Sequence, residues 1–124
     1  MKNPITHNPL VRSFQNSCCG LGAAWREDTS FRRTVWQWIV GILIASGLTL
    51  YYDWSAYAWL LLVASLFPML IVETVNSSIE AVTDKASPER HPLAKKAKDI
   101  GSAAVLLSRI LTALCWIVVL NVKF

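Results

Sequence analysis

The sequence predicts an all-α membrane protein with three transmembrane helices and an amino-terminal amphipathic surface helix. Three observations predict it. Of the 124 residues, 54% are hydrophobic and only 16% charged, where a soluble domain carries about 25% charge, and the mean hydropathy is positive at +0.41. Three apolar stretches approach about 20 residues, the length that crosses the hydrocarbon core as a helix. The Lys and Arg residues gather in two of the segments outside those stretches, which is how membrane proteins fix their orientation. A chain of this length holds one domain, 1–124.

The first element covers about 9–28. Leu10, Phe14, Cys18, Leu21 and Trp25 recur at three- and four-residue spacing, with Arg12, Asn16 and Arg26 elsewhere on the wheel. That pattern predicts an amphipathic helix lying on the inner membrane surface. Gly20 and Gly22 weaken it, and the alternative is a poorly ordered tail. The first 30 residues contain no apolar run of the kind a cleavable signal peptide needs, so the first span is expected to serve as its own insertion signal.

That span covers about 34–52. It is uncharged, with Trp36, Trp38, Tyr51 and Tyr52 near its ends, where aromatic rings mark the two interfaces. The second covers about 55–72. Pro68 falls inside it, a kink that a packed membrane helix tolerates, and the helical pattern continues beyond the apolar run to 84. The third covers about 103–122. Between them, Ser87-Pro88-Glu89 has the form of an N-cap, a proline at the first helical position and an early acid. It predicts a short turn or helix ahead of the last span, which begins near Lys96. Arg109, about 10 Å into the last span by helical rise, either snorkels back to the interface or pairs with an acid in the bundle.

Orientation follows from the basic residues. Lys2, Arg12, Arg26, Arg32 and Arg33 precede the first span, and Lys85, Arg90, Lys95, Lys96 and Lys98 lie between the second and third; the other connection has only Asp53 and the tail only Lys123. The positive-inside rule places the amino terminus and the second loop in the cytoplasm and the carboxyl terminus in the periplasm. The net charge of +4 suits an anionic membrane leaflet and, with no recognition motif beside it, does not point to nucleic acid. Cys18, Cys19 and Cys115 have neither a disulfide-framework nor a metal-site spacing and read as reduced.

The chemistry concentrates where the second span leaves the membrane. Glu73, Ser77, Glu80 and Asp84 fall within about 60° on a helical wheel, with Asn76 at the edge of that face. A solvated helix usually offsets such acids with bases at four-residue spacing, and here none intervenes before Lys85. One reading is a wet helix end. The other is a divalent-metal site, since Mg²⁺ takes one or two carboxylates together with substrate phosphates. Glu73 favours the second, because it follows directly on Pro68-Met69-Leu70-Ile71-Val72, and ionisable groups at an apolar boundary are costly and tend to be functional. By helical rise it lies roughly 27 Å from Ser55, near the inner interface and far from the midplane where transporter sites sit. There a carboxylate can meet a lipid headgroup and a soluble nucleotide together. Lys98-Asp99-Ile100-Gly101-Ser102 opens the third span, with a Lys suited to a phosphate and small residues suited to close packing. Walker A and protein-kinase signatures are missing from the sequence.

The run Glu73-x-x-Asn76-Ser77-x-Ile79-Glu80-Ala81-Val82-x-Asp84, then Ala97-Lys98-Asp99-x-Gly101-Ser102-Ala103-Ala104-Val105, resembles the prokaryotic integral-membrane diacylglycerol kinase family. Gly20-Leu21-x-Ala23-Ala24-Trp25 followed by Phe31-Arg32 resembles it too, so that the likeness runs from about residue 10 to 122. The resemblance implies a homotrimeric bundle in the bacterial inner membrane that phosphorylates diacylglycerol from ATP and Mg²⁺ to give phosphatidic acid, at active sites shared between protomers. It implies Glu73 as general base and Glu80 and Asp28 as metal ligands. It implies that Asn16, Asn76, Glu89, Arg90, His91, Lys98 and Asp99 meet the nucleotide. Ser17, Trp25, Ser30, Phe31, Arg32 and Ser102 would lie near the lipid substrate. His91 is also readable as a plain loop hydrogen-bonder beside Pro92. Against the family pattern, Asp28 stands for a Glu, with Glu27 beside it as a substitute. Thr34 stands for an acid, Pro9 for a basic residue that Arg12 replaces, and Asn16 for a tyrosine. A polyprenol kinase is the alternative within the enzyme class; a small transporter subunit or a non-catalytic membrane scaffold is the alternative outside it.

Overall fold

The computed structural model describes residues 8–87, 89 and 91–122. Among the described residues the chain forms four helices and no strand: α1 (Pro9–Glu27), α2 (Thr29–Tyr51), α3 (Ala56–Ala86) and α4 (Pro92–Asn121). The last three are long and apolar enough to cross a membrane.

Helix α1 starts where Asn8 Oδ1 accepts from the Leu10 N–H at 3.0 Å, with Pro9 in the first turn, a position that needs no N–H donor. It runs unbroken through Gly20 and Gly22, and none of its residues is buried. Leu10, Phe14, Leu21 and Trp25 are exposed along it, an apolar stripe of the kind an interfacial helix offers to lipid.

Asp28 separates α1 from α2. Its N–H closes α1 on the Ala24 carbonyl at 2.9 Å, while its Oδ1 accepts from the N–H groups of Ser30 (2.7 Å) and Phe31 (3.2 Å). One residue thus ends one helix and caps the next. Arg32 reinforces the joint: its guanidinium donates to the carbonyls of Trp25 (2.8 Å) and Arg26 (3.0 Å) and to Thr29 Oγ1 (3.0 Å). This cap is why α2 begins at Thr29, a turn before the apolar run near 34. Hydropathy marks where the membrane begins, and capping marks where the helix does.

Asp53 turns the chain between α2 and α3 at φ 53°, a left-handed conformation that Asp adopts more readily than most residues. Helix α3 then forms the centre of the bundle, packing most extensively on α4 and next on α2. Ala45, Ala58, Leu62, Val63 and Val119 make a closed apolar core towards this turn. Polar ties cross it: Trp59 Nε1 donates to Ser46 Oγ at 3.0 Å, and Thr112 Oγ1 to the Ser65 carbonyl at 2.8 Å. The second tie lies beside Pro68, whose missing N–H leaves a carbonyl of the preceding turn without its helical partner, yet α3 continues without interruption. Helices approach most closely at Gly41, which faces Leu66, and at Gly101, which faces Asn76.

The second connection differs from the sequence reading. Ser87 ends α3, its N–H bonded to the Thr83 carbonyl at 2.9 Å, instead of starting a new helix. The cap of α4 is His91, whose Nδ1 accepts from the Leu93 N–H at 3.2 Å, with Pro92 in the first turn. The cap-then-proline pattern was thus read one motif too early, and α4 is a single helix from Pro92 through the last span. Pro88 and Arg90 lie outside the described residues.

Candidate functional site

Past its apolar segment α3 keeps its helical course, so its acidic face projects as a rigid rod between α1, α2 and α4. Three cavities surround it. The first, of about 570 Å³, is walled by Glu73, Asn76 and Glu80 from α3, by Ser30 and Arg33 from α2, and by Asp99, Ser102 and Arg109 from α4. The second, of about 500 Å³, lies between α1 and α3 and is edged by Glu27, Asp28, Ser77, Glu80 and Asp84. The third, of about 660 Å³, sits at the α3–α4 connection against Asp84, Glu89, His91, Lys95, Lys98 and Asp99. Glu80 borders the first two, Asp84 the last two and Asp99 the first and third.

Glu73 is only 3% exposed. Its carboxylate faces the Thr34 hydroxyl and the Arg109 guanidinium, with Asp28 and Glu80 the neighbouring acids. Asn76, 8% exposed, donates from Nδ2 to Glu80 Oε1 at 3.3 Å. Its Oδ1 is buried without a hydrogen-bond partner and lies against Gly101, where a Cβ would overlap it. Gly101 therefore lets α4 come close enough to press Asn76 towards Glu80, and only glycine fits there. Next to Asn76 and one helix turn from Glu73, Ser77 donates its hydroxyl to Asp28 Oδ2, so the α1–α2 joint is docked on the acidic face. Burial pushes the Asp28 carboxyl up, but the hydrogen bonds from Ser77, Phe31 and Ser30 and the Arg32 charge outweigh it and hold the group below its ordinary value.

The acidic face is not without cations. Lys98 Nζ of α4 reaches Asp84 Oδ1 at 2.9 Å, and Lys95 pairs with Asp99. Both pairs are solvent-exposed and contribute little to stability; the Asp84 contact holds Lys98 at the third cavity, where an ammonium can meet a phosphate. Among the described residues no three His, Cys, Asp or Glu side chains converge as a self-sufficient metal cage. The oxygen donors of Asp28 and Glu80 around one cavity nonetheless fit Mg²⁺, which takes one or two carboxylates and completes its shell with phosphate and water.

The remaining expected residues scatter. Asn16 and Ser17 lie with Pro9, Arg12 and Ser13 on a separate face of α1, away from Glu73. Trp25 sets its ring against Trp36, centroids 6.3 Å apart. Phe31 is buried, and Arg32 is occupied at the α1–α2 joint. His91 acts as the cap described above. Of the two places open to Arg109 in the sequence, the interface and the bundle, the structure shows the second. The side chain does not extend to the interface but ends inside the bundle, with Nη2 3.4 Å from Thr34 Oγ1 and the guanidinium on the Glu73 cavity. The signal was present, since an arginine within a span faces the bundle interior far more often than lipid.

Sequence comparisons agree with this arrangement. Diacylglycerol kinase of Escherichia coli K12 is 38% identical over 111 residues, 90% of this chain and 88% of the relative. Diacylglycerol kinase of Helicobacter pylori 26695 is 42% identical over 107 residues, 86% and 80% of the two chains. That of Pseudomonas aeruginosa PAO1 is 40% identical over 104 residues, 84% and 81%. The family profile of prokaryotic diacylglycerol kinase matches residues 15–120, a stretch that takes in all three long helices and every cavity wall around Glu73, and the chain belongs to that family.

Proposed function

We propose that the protein transfers the γ-phosphoryl group of ATP to the primary hydroxyl of diacylglycerol, giving phosphatidic acid and ADP at the cytoplasmic face of the bacterial inner membrane. The observation that carries the reading is the placement of Glu73: a buried carboxylate at the end of an apolar span, opening on a cavity shared with Asn76, Glu80 and Ser102. A lipid alcohol reaches that point from the bilayer and a nucleotide reaches it from the cytoplasm.

Phosphoryl transfer asks the protein mainly to position the reactants and to stabilise charge. The hydroxyl oxygen forms the new bond to the γ-phosphorus as the bond to the ADP oxygen breaks, and Glu73 takes the hydroxyl proton. Lys98, with Asp84 and the His91 end of α4 beside it, offers its charge to the nucleotide phosphates. Asp28 and Glu80 would hold Mg²⁺, which when bound offsets the charge of the phosphate oxygens. Asn76 keeps Glu80 aimed along the cavity wall. The exposed apolar faces of α2 and α4 suit a homotrimer in which neighbouring protomers cover the open sides of these cavities.

The test is ATP-dependent phosphorylation of diacylglycerol by the purified protein in mixed micelles, with Glu73→Gln beside it. Gln keeps the shape and removes the basicity. The variant is expected to lose turnover by about 100-fold or more while ATP binding changes little. Near-normal turnover would remove Glu73 from the role.

A further inference from the structure

The guanidinium of Arg109 is a cation inside a membrane span with unused donors. Among the described residues no carboxylate lies within ion-pair distance of it. Among the described residues its only hydrogen bond is the long one to Thr34, and its Nε is buried without a partner among them. Burying such a group in an apolar bundle is costly, and a buried donor without a partner calls for an explanation. Its location supplies one. Asn76 and Gly101 lie at one level of the antiparallel α3–α4 pair. From that level Glu73 is about 4.5 Å towards the apolar end and the Arg109 backbone about 12 Å. Side chains on a helix tilt towards its N-terminus, so the Arg109 side chain reaches back and presents its guanidinium beside the Glu73 carboxylate, in the same cavity. The nucleotide-facing residues Lys98 and Asp99 lie at the opposite, polar end.

A guanidinium only donates hydrogen bonds. The ligand that satisfies it must bring acceptor oxygens, close to a reacting hydroxyl held at Glu73. We propose that Arg109 is a specificity-determining residue that donates hydrogen bonds to the ester carbonyls of diacylglycerol and so selects a diester lipid alcohol over an alcohol without such carbonyls. The inference rests on the kinase reading above. In diacylglycerol the two ester groups sit on the carbons next to the one bearing the reacting hydroxyl, and both lie towards the acyl chains. A polyprenol or a diether glycerol has the hydroxyl without the carbonyls. Thr34, fully buried between α2 and the cavity, holds the guanidinium to one side through its hydroxyl, leaving the remaining N–H groups for the lipid.

The experiment compares kcat/KM for 1,2-dioctanoylglycerol and for its 1,2-di-O-octyl ether analogue, in the wild-type protein and in Arg109→Met. The wild type is expected to favour the diester by at least about tenfold, the worth of a hydrogen bond from a charged donor. Arg109→Met should bring the ratio near unity, mostly by raising KM for the diester more than for the diether. A wild type that uses both lipids equally well overturns the proposal whether or not the variant folds. So does an Arg109→Met protein in which both substrates decline together. A wild type that phosphorylates neither lipid, with ATP and Mg²⁺ present, removes the kinase reading itself and this inference with it.

Discussion

Replacing Gly101 by Ala tests how the close approach of α4 to α3 serves the site. A Cβ at that position overlaps Asn76 Oδ1 and lies near Asn76 Cγ and the Ile79 side chain. Asn76 has nowhere to retreat: it is 8% exposed, with its amide engaged by Glu80 at 3.3 Å. In a helix interior the substitution by itself gains about 1 kcal/mol of helix propensity. Overpacking a buried contact costs about 1–3 kcal/mol. The net effect is therefore a loss of roughly 0–2 kcal/mol, and the reference is Gly47→Ala, where the added methyl meets nothing within 4 Å and only the gain applies. Gly101→Ala should unfold about 1–3 kcal/mol more easily than Gly47→Ala. Its turnover should drop by about tenfold or more, since an ångström of displacement at a positioned group is costly for the reaction. Thermal unfolding in detergent and kinase turnover read the two effects. Combining Gly101→Ala with Asn76→Ala should return the stability without returning the activity, because the overlap is gone but Glu80 has lost its partner. A Gly101→Ala protein as stable and as active as Gly47→Ala would refute the reasoning.

Two further outcomes follow from the Asp28 joint. Asp28 is held below its ordinary carboxylate value, so the stability that its charge contributes is complete above about pH 4 and is lost as the pH falls through its lower folded value. Thermal midpoints measured between pH 6 and pH 3 should decline more in the wild type than in Asp28→Asn, and parallel curves would show that the charge does not matter there. Asp28 and Glu73 share the acidic face of one chain, so Asp28→Ala and Glu73→Gln chains, each inactive alone, should stay inactive when assembled into mixed trimers. Activity recovered in mixed trimers would mean that Asp28 serves the acidic face of a neighbouring protomer instead.

Much of this architecture was legible because the membrane simplifies the code. A segment that spans lipid must be helical to satisfy its own backbone, so apolar length alone located α2, α3 and α4. The acidic face was legible for a related reason: Glu73 follows directly on an apolar run, and a charge in that position is conspicuous in any sequence. Helix starts were less legible. They depend on which side chain turns back onto the backbone, and both Ser87 and His91 can do so. Each stands just before a proline, and only the folded chain shows that His91 does. The cationic partner of Asp84 was hidden because Lys98 is 14 residues distant along the chain and is brought near only by the turn between α3 and α4.

Thr34 and Arg109 make the point most sharply. Taken singly, a threonine at the start of a span and an arginine within another are each unremarkable, because hydroxyls are common near interfaces and long basic side chains can snorkel. They are 75 residues apart in sequence, and no local pattern joins them. In the fold, α2 and α4 both flank α3 at the level of Glu73, and the tilt of side chains along α4 carries the arginine towards the Glu73 carboxylate. An acid at position 34 would pair with that guanidinium and consume its donors. Threonine, neutral and short, fixes one edge of the arginine and leaves the rest free. The two residues therefore belong together beside Glu73. A Thr34→Glu change should accordingly weaken the preference for diester lipids as Arg109→Met does, while the residues that receive the phosphates stay untouched.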